Sequence, residues 1–287
     1  MNARNSLANF RVYSSSEVAA HYSSLSYLTP CERMLFDKYL KPGMAILDAG
    51  VGGGRTTPHL SAIAGSYVGI DYSETMIEAC RNRYPELRFA VSDAADLSAF
   101  PAEAFDAVVM AFNTIDYIVP EDRRRQCFTE CWRVLKPGGV FLFSSHNPRS
   151  IIVRPGWEQN RVHSFVRRFI THSSMLYLVA VAATTTMKAA QSLVRASVTT
   201  LGRLAHRLSK SAFWTGEGHL MDAAHGGLLT HYWTPRKAIN EVSQFAFELA
   251  EIRGDDYPRK SGELLTDWYY YVFAKANRKT RAEVACA

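Results

Sequence analysis

One stretch restricts the fold more than any other. A short apolar run, Met44 to Leu47, leads into Asp48-Ala49-Gly50-Val51-Gly52-Gly53-Gly54-Arg55-Thr56. The run reads as a buried strand. The glycines turn the chain, and Pro58 to Ile63 reads as the helix that follows. Strand, glycine turn and helix let a nucleotide-like ligand approach bare backbone, because glycine has no Cβ and tolerates positive φ. Structural turns without a ligand share this pattern, so the flanking residues have to decide.

Those residues do not fit a strict G-x-G-x-x-G dinucleotide fingerprint. Gly50 and Gly52 match, but Arg55 stands where the third glycine or alanine belongs. Asp48 is the better clue. A carboxylate there accepts hydrogen bonds and favours a cationic sulfonium or ammonium group, whereas it repels a pyrophosphate. A second strand, Tyr67-Val68-Gly69-Ile70-Asp71, ends in an acid about 20 residues on, where a carboxylate takes both hydroxyls of a ribose. Phe89 to Ala94 reads as a third strand and again ends in an acid, Asp93. Phe105 to Phe112 is a fourth, nearly all apolar, as a parallel strand covered on both faces should be. Asn113 follows it. Lys136-Pro137-Gly138-Gly139 reads as a turn into a fifth strand, Val140 to Ser144.

In this order and spacing the chain resembles a class I S-adenosylmethionine-dependent methyltransferase of the Rossmann-like, small-molecule type. Asp48 to Gly54 matches that family's first motif, D/E-x-G-x-G-x-G. Gly69 to Met76 matches its second-strand acid and the helix beyond, Asp93-Ala94 the adenine-contacting pair, and Leu135 to Gly139 the turn before strand five. The resemblance implies an α/β fold: a doubly wound, mostly parallel seven-stranded sheet with strand seven antiparallel between five and six. It implies S-adenosylmethionine as cofactor. Asp48, Gly50 and Gly52 would line its methionine portion and Asp71 its ribose. Tyr72, Asp93, Ala94 and Met76 would lie toward the adenine, with Asn113 at the strand-four edge. Tyr22, in a segment that often closes over the cofactor in this family, is a further candidate. Ordinary core packing is the alternative for Tyr22 and for Met76.

The acceptor is less well marked. Some amine methyltransferases of this family carry N/D-P-P-Y/F after strand four; here Asn113 has no prolines after it, so an amine or amide acceptor is not supported. His146, just past strand five, is placed to take a proton from a hydroxyl, since a histidine titrates near neutrality. His231 is the second candidate base. A hydrogen-bonded structural histidine is the competing reading of His146. These residues point to methylation of a small-molecule or lipid- or saccharide-type acceptor at oxygen. A silent binding protein of the same fold and a nicotinamide oxidoreductase are the rivals, and Arg55 speaks against the second.

Composition fits a soluble globular class: 47% hydrophobic and 21% charged. Residues 1–10 have no apolar signal segment. The five cysteines are scattered, which suggests reduced thiols in a cytoplasmic protein and no metal site. The formal charge of +6 is concentrated in one place. Between Glu158 and Glu217 there is no acid, while Arg161, Arg167, Arg168, Lys188, Arg195, Arg203, Arg207 and Lys210 lie there. Without these eight the formal charge is about −2. Apolar residues from Phe165 to Leu208 share one face at ~100° per residue, so the interval reads as one or two amphipathic helices. The simple role is a lid or a homodimer helix. The sharper one is peripheral contact with an anionic membrane, or cover for a lipid-linked acceptor, through 161–210. Nucleic acid is disfavoured because exposed aromatics for base stacking are lacking. Met175 to Met187 is uncharged but too short to span a bilayer.

The chain therefore divides into a helical cap over 1–40, a cofactor-binding core over 41–147, a basic helical insert over 148–227, and a completion of the core over 228–287. In the last part, Thr234 and Pro235 start a helix expected to reach Glu248, followed by strands at Leu249 to Arg253 and Trp268 to Ala274.

Overall fold

The computed structural model describes residues 9–10, 12–150, 211–222 and 228–276. The amphipathic stretch over 161–210 lies outside the described residues, as does most of the insert.

Seven strands form one sheet: β1 (Ala45–Ala49), β2 (Ser66–Asp71), β3 (Arg88–Val91), β4 (Phe105–Met110), β5 (Leu135–His146), β8 (Phe247–Gly254) and β9 (Trp268–Lys275). Their spatial order is β3-β2-β1-β4-β5-β9-β8. The first five are mutually parallel, and β9 runs antiparallel between β5 and β8. The expected strand order is thus the one observed. The order reverses between β1 and β4, so their carboxyl ends open a crevice, the place where doubly wound sheets bind ligands.

Helices cover both faces: α1 (Ser16–Ser23), α2 (Pro30–Tyr39), α3 (Thr57–Ile63), α4 (Glu74–Arg83), α5 (Glu121–Val134), α6 (Ser211–Thr215) and α7 (Pro235–Ser243). Local chemistry starts several of them. Thr29 and Glu32 form a reciprocal capping box on α2, with Pro30 at its first position. Ser73 caps α4 by accepting from the Met76 N–H. One core lies between the sheet and α5 and α7, built on Phe128, Phe141, Phe143 and Trp233. The other lies under α2, α3 and α4, built on Leu35, Phe36, Leu60 and Tyr270.

Three local expectations change. Lys136 to Gly139 is part of β5 rather than a turn before it; Gly138 at φ +76° and a register shift opposite Phe105 and Ala107 absorb the irregularity. Helix α7 stops at Ser243, because Ala246 takes a left-handed φ of +59° and Phe247 enters β8 as a buried residue. Glu217–Asp222 is a strand, β6, rather than the end of a helical insert. It pairs antiparallel with β7 (Leu228–Trp233), His219 opposite His231. Its strand character comes from that pairing, which local sequence does not reveal. The ribbon packs over the carboxyl ends of β4 and β5.

Candidate active site

The glycine loop rises from β1, and two of its residues cannot carry a side chain. A Cβ on Gly50 (φ +76°) would fall 2.2 Å from Thr114 Cγ2, and one on Gly53 would fall 2.3 Å from Ser23 N. The loop is therefore pressed between the end of β4 and the N-terminal cap. A cavity opens along it. Asn9, Tyr13 and Tyr22 of the cap form one wall. Gly50, Gly52, Asp71, Tyr72, Met76, Asp93 and Ala94 line the floor and far end, with Phe112, Thr114 and Tyr117 on the β4 side.

Asp71 is held from below. Its Oδ2 accepts from Gly52 N at 3.0 Å and its Oδ1 from Ser73 N at 2.9 Å. Burial pushes its carboxyl up to about 6, against the pull of those backbone donors. Asp93 Oδ1 accepts from Ala95 N at 2.8 Å, and Oδ2 pairs with Arg123 Nη2 at 2.6 Å at the exposed end of the cavity.

Asp48 sits elsewhere than expected. It does not line the cavity; it lies beneath the loop, 1% exposed, with Oδ2 accepting from Thr56 Oγ1 at 2.7 Å and Tyr67 Oη at 2.9 Å. Burial likewise pushes it up to about 6. Its side chain braces the turn from within. Arg55, the residue that broke the dinucleotide pattern, turns away from the loop to Glu32, bonding both carboxylate oxygens at 2.6 and 2.8 Å. Its guanidinium also lies over the rings of Tyr27 and Phe112, at 5.4 and 4.9 Å.

Asn113 and His146 are adjacent to the cavity rather than in its lining. Phe112 and Asn113 both adopt left-handed φ, +59° and +63°, a strained pair at the end of β4. The Asn113 amide nitrogen is 3.1 Å from His146 Nε2, and His146 Nδ1 is 2.7 Å from Asp116 Oδ2. Asp116, fully buried in the 3-10 turn Thr114–Tyr117, also accepts from His146 N at 2.7 Å and from Ser145 Oγ. A carboxylate on Nδ1 requires that nitrogen to donate, which leaves Nε2 as the acceptor. The rings of Tyr232, Tyr117 and Trp268 surround the imidazole at 5.0, 6.5 and 6.5 Å. Asp116 was not among the residues singled out from sequence, although it stands three residues past Asn113 at the same sheet edge. His231 is placed apart from the cavity. It is 1% exposed on β7, with Nε2 3.3 Å from Glu217 Oε1.

The lining residues suit a cationic nucleoside. Asp71 offers acceptor oxygens beside a glycine-rich loop, and the cavity has a polar exposed end at Asp93. Among the described residues no group of three His, Cys, Asp or Glu side chains is placed to hold a metal ion.

A family model described as a methyltransferase domain matches residues 46–139. Residues 46–139 are a class I S-adenosylmethionine-dependent methyltransferase domain. The methyltransferase domain has curated relatives over its core. A probable S-adenosylmethionine-dependent methyltransferase of Mycolicibacterium smegmatis is 35% identical over 114 residues, covering 40% of this chain and 42% of that one. A fatty-acid O-methyltransferase of the same organism is 36% identical over 121 residues, 41% of this chain and 42% of its own. The chain thus spans less than half the length of these relatives. Among solved structures, the CcbJ methyltransferase from Streptomyces caelestis superposes with a TM-score of 0.57 at 17% identity, covering 92% of this chain and 98% of that one. That likeness concerns the fold. All the cavity's lining residues except Asn9, Tyr13 and Tyr22 belong to the methyltransferase domain.

Proposed function

We propose that the chain transfers a methyl group from S-adenosylmethionine to the hydroxyl of a small-molecule acceptor. The observation that carries this reading is the His146–Asp116 pair, set at the carboxyl edge of β4 and β5 beside the cavity. The bound cofactor supplies a methyl group already activated on a sulfonium, so the protein's work is positioning, exclusion of water and proton removal. Asp71 and the glycine loop seat the nucleoside. Asp116 holds His146 in the tautomer whose Nε2 lone pair is basic. The Asn113 N–H now on that lone pair marks where an acceptor O–H would sit. His146 Nε2 then takes the hydroxyl proton as the oxygen attacks. A relative named as a fatty-acid O-methyltransferase and a human ubiquinone-biosynthesis O-methyltransferase, 32% identical over 112 residues, support oxygen as the target.

The test is incubation of the purified chain with methyl-labelled cofactor and cell extract, followed by mass spectrometry. The expected product carries the label on oxygen. Label on nitrogen, or no transfer, overturns the reading. Among the described residues no helix is long and apolar enough to cross a membrane. Membrane contact through 161–210 would be tested by flotation with anionic vesicles at low salt.

A further inference from the structure

Behind the β6–β7 ribbon lies a group of polar side chains that methyl transfer does not use. Arg124, in the first turn of α5, is fully buried. Its guanidinium stands 5.1 Å from the Trp233 ring centre. The nearest carboxylate oxygens are Glu241 Oε2 at 3.6 Å and Glu217 Oε1 at 3.8 Å, beyond hydrogen-bond reach. Arg124 Nε and Nη1 have no partner. Neither do His231 Nδ1, His219 Nε2 and Trp233 Nε1, all buried. These residues are contiguous: the His231 and Trp233 rings are 4.9 Å apart, and those of His219 and His231 are 5.1 Å apart.

Buried polar groups in folded proteins find partners, and each that does not costs free energy. Four of these nitrogens, Arg124 Nε and Nη1, His219 Nε2 and Trp233 Nε1, can donate and mark the place of a missing acceptor, whereas His231, whose Nε2 donates to Glu217, keeps a lone pair on Nδ1. The charges say which kind. Glu217 and Glu241 each have an outer cation, Lys237 and Arg125, both at 3.8 Å. Arg124 is then the surplus charge, since three cations, Lys237, Arg125 and Arg124, stand against two carboxylates. Burial, aided by the fields of His231 and Arg124, pushes His219 down to about 4, so His219 is neutral at pH 7. The ring of Tyr232, next to His231 on β7, lies 5.0 Å from that of His146, so the ribbon also borders the His146–Asp116 pair.

We infer that Arg124, His219 and Trp233 form a binding site for a carboxylate. An oxyanion there accepts charge-assisted bonds from Arg124 and the ring N–H groups of His219 and Trp233. If the carboxylate belongs to the methyl acceptor, the acceptor is a hydroxy acid; that extension rests on the proposed hydroxyl methylation, while the site itself does not.

The test is calorimetric titration of the full chain, without cofactor, using acetate, benzoate and the neutral benzyl alcohol. Saturable binding of a carboxylate is expected, with none for benzyl alcohol. Arg124→Lys keeps the charge but not the fork, and should weaken carboxylate binding at least tenfold with an unchanged melting curve. His219→Leu removes the imidazole donor and serves as a second variant should Arg124→Lys misfold, with a several-fold loss expected. Benzoate tighter than acetate supports an acceptor's carboxylate, and equal binding supports a free one. No saturable binding, binding of benzyl alcohol equal to benzoate, or carboxylate binding unchanged in both variants overturns the site and leaves only ordered water among these groups. Because no methyl transfer is measured, failure of the hydroxyl-methylation reading cannot be mistaken for failure of this one.

Discussion

Asn9 and Leu229, 220 residues apart, bond each other twice through one side-chain amide: Asn9 Nδ2 donates to Leu229 O at 2.8 Å, and Leu229 N donates to Asn9 Oδ1 at 3.0 Å. Asn9 is 2% exposed and also lines the cavity along the glycine loop. The pair ties the N-terminal cap to the β6–β7 ribbon. Asn9→Ala leaves a backbone N–H and C=O buried without partners, a cost of about 1–3 kcal/mol for each group so stranded. Urea unfolding should show the loss of stability, and calorimetry a weaker affinity for S-adenosylmethionine. Unchanged affinity would mean that the cap is held without this clasp.

Asp71 links affinity to pH. Burial raises its carboxyl to about 6, and a cationic nucleoside favours the ionised form. Binding therefore weakens as pH falls through about 6, releases protons there, and is flat above pH 7. Asp48, also near 6, titrates in the same window but beneath the loop. Titrations between pH 5 and 8 in buffers of different ionisation enthalpy measure this. Asp71→Asn should lower affinity at least tenfold with an intact circular dichroism spectrum and remove most of the pH dependence; retention of it assigns the effect to Asp48.

The buried Arg55–Glu32 pair makes a sharper stability prediction. Side-chain exposure is 6% and 0%. Glu32→Ala strands a guanidinium between two aromatic rings and should cost about 3–5 kcal/mol, whereas Arg55→Met with Glu32→Leu should recover most of it. Chemical denaturation of the unmodified chain and the two variants decides the point.

For the acceptor side, Asp116→Asn removes the carboxylate that orients His146. Transfer to oxygen should fall about 100-fold or more, the scale of general-base catalysis, with cofactor affinity retained. Equal loss of affinity and rate would make the pair a brace for the β4 and β5 ends rather than a base.

Much of the core was readable because several signals agreed. The apolar runs at Met44, Tyr67 and Phe105 each precede a polar or glycine-bearing edge. Tyr22, Gly50, Gly52, Asp71, Tyr72, Met76, Asp93 and Ala94 come together around one cavity. Asp48 did not follow, since sequence gives its position on β1 but not the Tyr67 hydroxyl that draws it inward. Glu217 to Asp222 carries no strand pattern of its own; only the partner at Leu228 to Trp233 makes it one. The orphaned nitrogens around Arg124 were equally invisible, because α5, β6 and β7 meet only in space.

The placement of β9 has a bearing on how the chain is made. Residues 268–275 fill the gap between β5 and β8. On the ribosome, the two flanking strands emerge with their hydrogen-bonding sides bare, so the sheet cannot be sealed until that late segment clears the exit tunnel. Nascent chains stalled before Trp268 should need a chaperone to stay dispersed.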